Sequence, residues 1–259
     1  MFRSILLVFV IFLISGYAQN SFAQATEKNT TQTKEEITDP KLTEVWEPEP
    51  SVVTPGDDRH SPPSDAIILF DGSNADAWQH DKGEPVEWKI YNKIMTVEPG
   101  TGQIMTKEKF GDCQLHLEWR SPHEPNRVGQ DKGNSGVFLQ GKYEVQILNS
   151  YQNRTYSNGQ AASVYKQHIP LANAMRTPGE WNVYDIIFHA PKFDSEGNKT
   201  KSGTLTVIHN GVLVQDHVEI LGTTEYIGPP KNEPHGDGPI FLQDHSNPVS
   251  FRNIWLRKL

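Results

Sequence analysis

Asn134-Ser135-Gly136-Val137-Phe138-Leu139-Gln140-Gly141-Lys142-Tyr143-Glu144-Val145-Gln146-Ile147-Leu148 is the run the chain is built around. It reads as two β-strands joined by a tight turn, because apolar and polar residues alternate on either side of a glycine. Gly141-Lys142, with glycine first, carries the signature of a type II′ turn, whose twist suits the flanking strands. That turn sets a register in which Leu139 faces Glu144, Phe138 faces Val145 and Val137 faces Gln146. Side chains alternate between faces with a period of two, so Phe138, Val145 and Ile147 are expected on a core face. Glu144 and Gln146 then share the other face with Val137 and Leu139. A carboxylate and an amide side by side on a stiff hairpin make a floor for a polar-ligand site. The competing reading is a solvated face of a half-exposed sheet.

Outward from the hairpin the same alternation recurs. In Cys113-Gln114-Leu115-His116-Leu117-Glu118-Trp119-Arg120 the odd positions are apolar and the even ones polar. Cys113 is the single cysteine, which excludes an intrachain disulfide and reads as a small core residue. Further strands are expected over 66–70, twice within 88–97 around Asn92-Lys93, and over 162–165 and 181–190. Others are expected over 203–209 and 212–217, joined by the hairpin signal Asn210-Gly211, and over 239–245 and 249–257. Trp78 falls in a polar stretch, and 121–133, 149–161 and 222–238 read as loops. Beyond the N-terminal segment no window sustains apolar residues at helical spacing. Many short strands with turn signals between them predict an all-β jelly-roll sandwich closed by its terminal strand.

The N-terminal end is different in kind. Residues 1–23 have the build of a secretory signal: Arg3, an apolar run from Ile5 to Ile14, and the small-x-small site Ser21-Phe22-Ala23. The run is too short for a comfortable membrane span, so the mature chain is expected to be secreted or periplasmic, without a stable span. Residues 24–63 are polar and then proline-rich, which predicts a linker or loosely docked arm, because such a segment buries too little to offset its ordering entropy. The domain is expected over 64–259. A net charge of −8 argues against nucleic acid, whose phosphates call for clustered Lys and Arg.

Candidate chemistry gathers on the polar faces: Glu118 and Arg120 from one strand, Glu144 and Gln146 from the hairpin, Gln243 and His245 from a late strand. Asn134 opens the hairpin, and Trp181 and Asn182 open another strand. Strand ends on a rigid sheet are where sites are built. Each residue also has a plainer role: surface pairing for Arg120, a turn cap for His245, core packing for Trp181. There is no Gly-x-Ser-x-Gly elbow and no glycine-rich phosphate loop or dinucleotide fingerprint, which argues against serine hydrolases, phosphate transfer and nicotinamide chemistry. His235-Gly236-Asp237 with His245, or the carboxylate–His–Gln set, offers at most a weak divalent-cation site. Sandwich glucanases of the laminarinase type carry Glu-x-Asp-x-x-Glu on one strand. Here the matching run is Glu144-Val145-Gln146-Ile147-Leu148-Asn149, with amides at the second and third acid positions, so ordinary double displacement by two carboxylates lacks support.

Several runs together carry a resemblance: Leu69-Phe70-Asp71-Gly72 with Trp78; Glu118-Trp119-Arg120; Asn134 to Phe138; Tyr143 to Ile147; Gly179-Glu180-Trp181-Asn182; His209-Asn210-Gly211; Gly238 to His245; and Phe251-Arg252-Asn253-Ile254. In this order, over about 65–259, the chain resembles the 3-keto-disaccharide hydrolase family. One departure is Asp244-His245-Ser246, where the family usually has glycine after the histidine. The resemblance implies a secreted concanavalin-like jelly roll acting on glycosides oxidised at C3. The missing acids fit that chemistry. A C3 ketone acidifies the C2 hydrogen, so one base, an oxyanion stabiliser and a general acid suffice for elimination across C1–C2 followed by rehydration. On this reading Glu144 or His245 is the base. Arg120, Gln146 and a possible divalent cation hold the ketone or enolate. Asn134, Tyr165, Trp181, Asn182 and Gln243 shape the sugar subsite. A non-catalytic, lectin-like carbohydrate-binding jelly roll is the alternative, since architecture alone does not set function.

Overall fold

Two antiparallel sheets face each other across one apolar core, in a computed structural model that describes residues 39–124 and 126–259. The expected signal segment 1–23 lies outside the described residues. The chain divides into Met1–Pro50 and Ser51–Leu259. The described part of the first unit holds a 3₁₀ turn at Pro40–Thr43, opened by the Asp39 carboxylate, which accepts from Lys41 N–H at 3.0 Å.

The second unit carries the strands: β1 Ile67–Phe70, β2 Trp78–His80, β3 Lys89–Tyr91, β4 Ile94–Thr96, β5 Ile104–Thr106, β6 Cys113–Arg120, β7 Ser135–Leu139, β8 Tyr143–Ile147, β9 Asn182–His189, β10 Lys192–Phe193, β11 Lys199–Lys201, β12 Thr204–His209, β13 Val212–Glu219, β14 Phe241–Leu242 and β15 Ser250–Lys258. The larger sheet runs β13-β12-β9-β6-β15-β4-β3, with β1 also pairing β15. The smaller runs β2-β5-β14-β7-β8, and β10-β11 is a separate ribbon. This is the expected concanavalin-like jelly-roll sandwich. The terminal strand β15 lies inside the larger sheet, against β6 on one side and β1 and β4 on the other.

Alternation decides what each sheet buries. Cys113, Leu115, Leu117 and Trp119 of β6 point into the core, as do Tyr184, Ile186 and Phe188 of β9 and Leu205 and Val207 of β12. Val137, Leu139, Val145, Ile147, Ile104 and Leu242 meet them from the smaller sheet. The Tyr184 hydroxyl donates to the backbone oxygen of Gln146 at 2.9 Å, a polar tie between the layers inside the core. Burial pushes the Cys113 thiol up to about 12, so it is the inert core residue its position in the pattern suggested.

The hairpin forms where expected, but its turn is one residue earlier. Lys142 N–H donates to Leu139 O at 3.0 Å, and Gln140 (φ 52°) and Gly141 (φ 67°) sit at the centre of the turn. Lys142 adds an extra residue to the loop, so Leu139 pairs with Tyr143, Phe138 with Glu144, Val137 with Val145 and Gly136 with Gln146. A shift of one residue exchanges the faces of a strand. Val137 and Leu139 therefore enter the core, while Phe138 and Gly136 join Glu144 and Gln146 on the outer face.

Other boundaries also move. Trp78 is not in a loop: it opens β2, with its indole N–H donating to Leu69 O at 2.8 Å. The expected strand over 162–165 is reduced to single bridges from Val164 to Val145 and His168, although it still runs beside β8 through backbone bonds at Glu144 and Gln146. The compact unit runs from Ser51, and the His60 carbonyl accepts from Asn253 Nδ2 (2.8 Å) and Trp255 Nε1 (3.0 Å). That anchorage holds the end of the proline-rich segment against β15.

Candidate functional site

The outer face of the smaller sheet carries a cleft of about 590 Å³. Its floor is built by register. Phe138 sits opposite Glu144, Gly136 opposite Gln146, and Gln243 N–H bonds Gly136 O at 3.0 Å, so Gln243 falls on the same face. Glycine at 136 is required by space: a Cβ there would meet Glu144 Oε1 and the Phe138 ring. Loops supply the walls. Tyr156, Tyr165 and Lys166 come from the segment lying beside β8, Thr224 and Tyr226 from the long loop after β13, Gln130 and Asn134 from the loop before β7, and His245 from the turn after β14. The Thr224 hydroxyl accepts from Glu144 N–H at 2.9 Å, stitching its loop to the hairpin.

Glu144 is the buried charge-bearing group of the cleft, 4% exposed. Desolvation pushes its carboxyl up to about 8, because an ionised carboxylate is poorly solvated there. With the Gln146 amide turned nitrogen-inward, Nε2 donates to Glu144 Oε1 (3.0 Å) and Ser135 O (3.1 Å). Turned the other way, Nε2 donates to Gln130 Oε1 at 3.1 Å and the amide oxygen faces Glu144. The two settings match the ionised and protonated carboxyl, respectively. Beside it the Tyr156 and Tyr165 hydroxyls stand 2.6 Å apart. Burial pushes both phenols upward and the nearby Glu144 adds to it, while the hydrogen bond between them raises Tyr165 further and pulls Tyr156 back. Lys166 Nζ lies over the rings of Tyr226 (4.4 Å), Tyr165 (5.5 Å) and Tyr156 (5.7 Å), a cation held by three aromatic faces. Gln243 Oε1 is buried and has no hydrogen-bond partner among the described residues.

Six of the residues singled out in the sequence line this cleft: Glu144, Gln146, Asn134, Tyr165, Gln243 and His245. Asn134 is positioned by Nδ2–H donating to Gln130 O at 2.7 Å. His245 is exposed at the rim on a turn anchored by Asp244, whose Oδ2 accepts from Gly100 and Gly102 N–H at 2.7 and 3.0 Å. Ser246 takes φ 59°, which accounts for a glycine being at home where this chain has serine.

Arg120, Trp181 and Asn182 are elsewhere. Arg120 does share the polar face of β6 with Glu118, but that face is the outside of the larger sheet, across the core from the cleft. There the guanidiniums of Arg120 (4.8 Å) and Arg252 (4.2 Å) both lie over the Trp181 ring. Asn182 is buried and structural: its Oδ1 accepts from Arg176 N–H and Asn210 Nδ2. His235, weighed with His245 as a metal ligand, pairs instead with the Tyr143 hydroxyl at 2.5 Å. Phe138, Lys166, Tyr156 and Tyr226 were not among the expected site residues. Phe138 was hidden by the register, while tyrosines in otherwise polar loops were the signal available for the other walls.

Fold and cleft together define a jelly-roll sandwich with one deeply buried carboxyl on the floor of a tyrosine-walled cleft. The chain belongs to the 3-keto-alpha-glucoside-1,2-lyase-like domain family, whose model matches residues 65–257. Among solved structures it is similar to a "putative glycosyl hydrolase" from Parabacteroides distasonis, at 54% identity and a TM-score of 0.82, covering 85% of this chain and 97% of that one. Two further proteins so described, from the same organism, share the fold at 18% and 20% identity, with TM-scores of 0.55 and 0.52. Each covers 75% of this chain, and 94% and 99% of their own. No protein of curated function matches the chain.

Proposed function

We propose that the cleft binds a glycoside whose sugar is oxidised at C3 and breaks its glycosidic bond by elimination and rehydration. The observation that carries the reading is Glu144: a single buried carboxyl, pushed up to about 8, on the floor of the cleft. The other carboxylate lining the cleft, Asp131, is exposed and paired with Arg127 at 2.7 Å. One strong buried base suits removal of a proton next to a ketone better than it suits double displacement, which needs two flanking carboxylates.

In this reading ionised Glu144 takes the C2 proton. The electron pair moves into C2–C3 and the C3 oxygen becomes an enolate. Lys166 and the phenol of Tyr165 supply the cation and donor that stabilise it, the role expected of Arg120 from the sequence. The enolate collapses, the C1–oxygen bond breaks, and the leaving oxygen takes a proton from His245 at the rim. Water then adds at C1, its proton restoring His245, and Glu144, its own proton exchanged with solvent, protonates C2, so the sum is hydrolysis. Gln243 Oε1 offers an acceptor to a sugar hydroxyl, and Asn134 and Gln146 orient the ring. Export of the chain to a periplasmic or extracellular site, from residues 1–23, is part of the same proposal. The tyrosine walls would equally suit a non-catalytic carbohydrate-binding module, so the test must see turnover.

That test incubates the protein with a 3-keto-glucoside and with the parent glucoside. Release of aglycone from the keto form alone is expected. Glu144→Gln should lower turnover by roughly a thousandfold or more. Binding of the keto form with no turnover would leave a binding module, and undiminished turnover by Glu144→Gln would remove Glu144 from the mechanism.

A further inference from the structure

The outside of the larger sheet holds a second cluster, far from the cleft in the sense that the core lies between them. His116 is fully buried on the outward face of β6, its ring stacked on Trp255 (4.8 Å between centroids, 9° between planes). Its Nδ1 lies 2.6 Å from Asp185 Oδ1 on β9. With that nitrogen protonated and donating to the carboxylate, Nε2 keeps its lone pair. Glu118, two residues on, has Oε2 held by Arg252 through Nε and Nη2, both at 2.7 Å. Its Oε1 stands 3.7 Å from His60 Nδ1. His60 is fixed by the two bonds to its carbonyl from Asn253 and Trp255.

Among the described residues, His60, His116 and Glu118 are the one group of three whose donor atoms all lie within 4.8 Å of one another. The Asn253 amide nitrogen reaches His60 O (2.8 Å), Glu118 Oε1 (3.0 Å) and, at the long end, His116 Nε2 (3.4 Å). Its two hydrogens serve three acceptors, so one is always left short.

We propose that His60, His116 and Glu118 bind one zinc-class divalent cation that staples the 57–64 segment to the outside of the sandwich. Two imidazoles and a carboxylate are a zinc donor set. A carboxylate that orients the ligating imidazole through its other nitrogen is the usual support of such a ligand, and Asp185 stands in that position for His116. Arg252 orients Glu118 in the same way. The cluster borders a depression lined by Asp58, Glu180 and Trp181, from which water can supply the fourth ligand. Loading requires the donors to close in by about an ångström to reach zinc–nitrogen distances of about 2.0–2.1 Å. It also requires Arg59, an exposed side chain, to release the His60 Nε2 that it now bonds at 2.8 Å.

The experiment is zinc and cobalt titration of the purified, tag-free protein, with bound metal counted by mass spectrometry and cobalt followed by its visible spectrum. One equivalent of zinc, with the intense visible bands of four-coordinate cobalt, is expected. His60→Ala and Glu118→Gln should each weaken binding by roughly tenfold or more, whereas Glu144→Gln and His245→Ala should leave it unchanged. His60 lies on a surface segment, so its variant keeps the test informative should changes in β6 impair folding. Absence of stoichiometric binding, or binding indifferent to His60→Ala and Glu118→Gln, would overturn the proposal.

Discussion

At the scale of the residue, the buried carboxyl of Glu144 carries a stability cost of its own. It ionises near pH 4.5 in the unfolded chain and near 8 when folded, so folding favours the neutral form. The sign follows: this contribution is fully present below about pH 4.5 and is lost as pH rises through 8. A shift of that size is worth on the order of 5 kcal/mol. Denaturant unfolding of wild type and Glu144→Gln at pH 5 and pH 8.5 should show the variant gaining by that order at the higher pH. A difference independent of pH would mean that the carboxyl is not perturbed. Gly136 is the companion test of geometry. In Gly136→Ala the new methyl takes the space of Glu144 Oε1, so turnover should fall at least about a hundredfold while the far-ultraviolet circular dichroism stays unchanged. An active Gly136→Ala would place the reacting group elsewhere.

At the scale of the element, the hairpin shows what alternation can and cannot deliver. It placed Val145 and Ile147 in the core and Glu144 beside Gln146 on an outer face. It misplaced Phe138, Val137 and Leu139 because Gln140, not a glycine, takes the first positive-φ position of the turn. A propensity argument assigns that position to glycine and so moves the turn one residue along. Gly141→Ala, at φ 67° and against the Phe241 ring, should cost about 1–2 kcal/mol in an unfolding titration. No measurable loss would mean that the turn does not hold this register. Strands β2 and β5 were not expected because three residues are too few to show a period, and β5 pairs with β2 and β14 through tertiary context alone.

At the scale of the molecule, the sandwich, its long strands and the cleft residues Glu144, Gln146, Gln243 and His245 were legible in the sequence; the side of the sandwich on which each polar face lies was not. Arg120 and Glu118 share a face as their spacing requires, but parity along β6 says nothing about which sheet β6 joins. Pairing with β9 and β15 sends that face away from the cleft. Arg120→Ala should therefore leave kcat/KM on a 3-keto-glycoside within about twofold of wild type, whereas Lys166→Met should lower it by roughly a hundredfold. The opposite ranking would return the enolate's cation to the larger sheet.

Removal of a proton by Glu144 from C2 of an oxidised sugar would leave its mark in the isotope content of the product. A 3-keto-glycoside turned over in deuterium oxide should yield sugar carrying deuterium at C2, seen by proton nuclear magnetic resonance, at a rate that Glu144→Gln and enzyme-free controls do not approach. Product that retains its C2 hydrogen while the bond at C1 is cleaved would contradict the account.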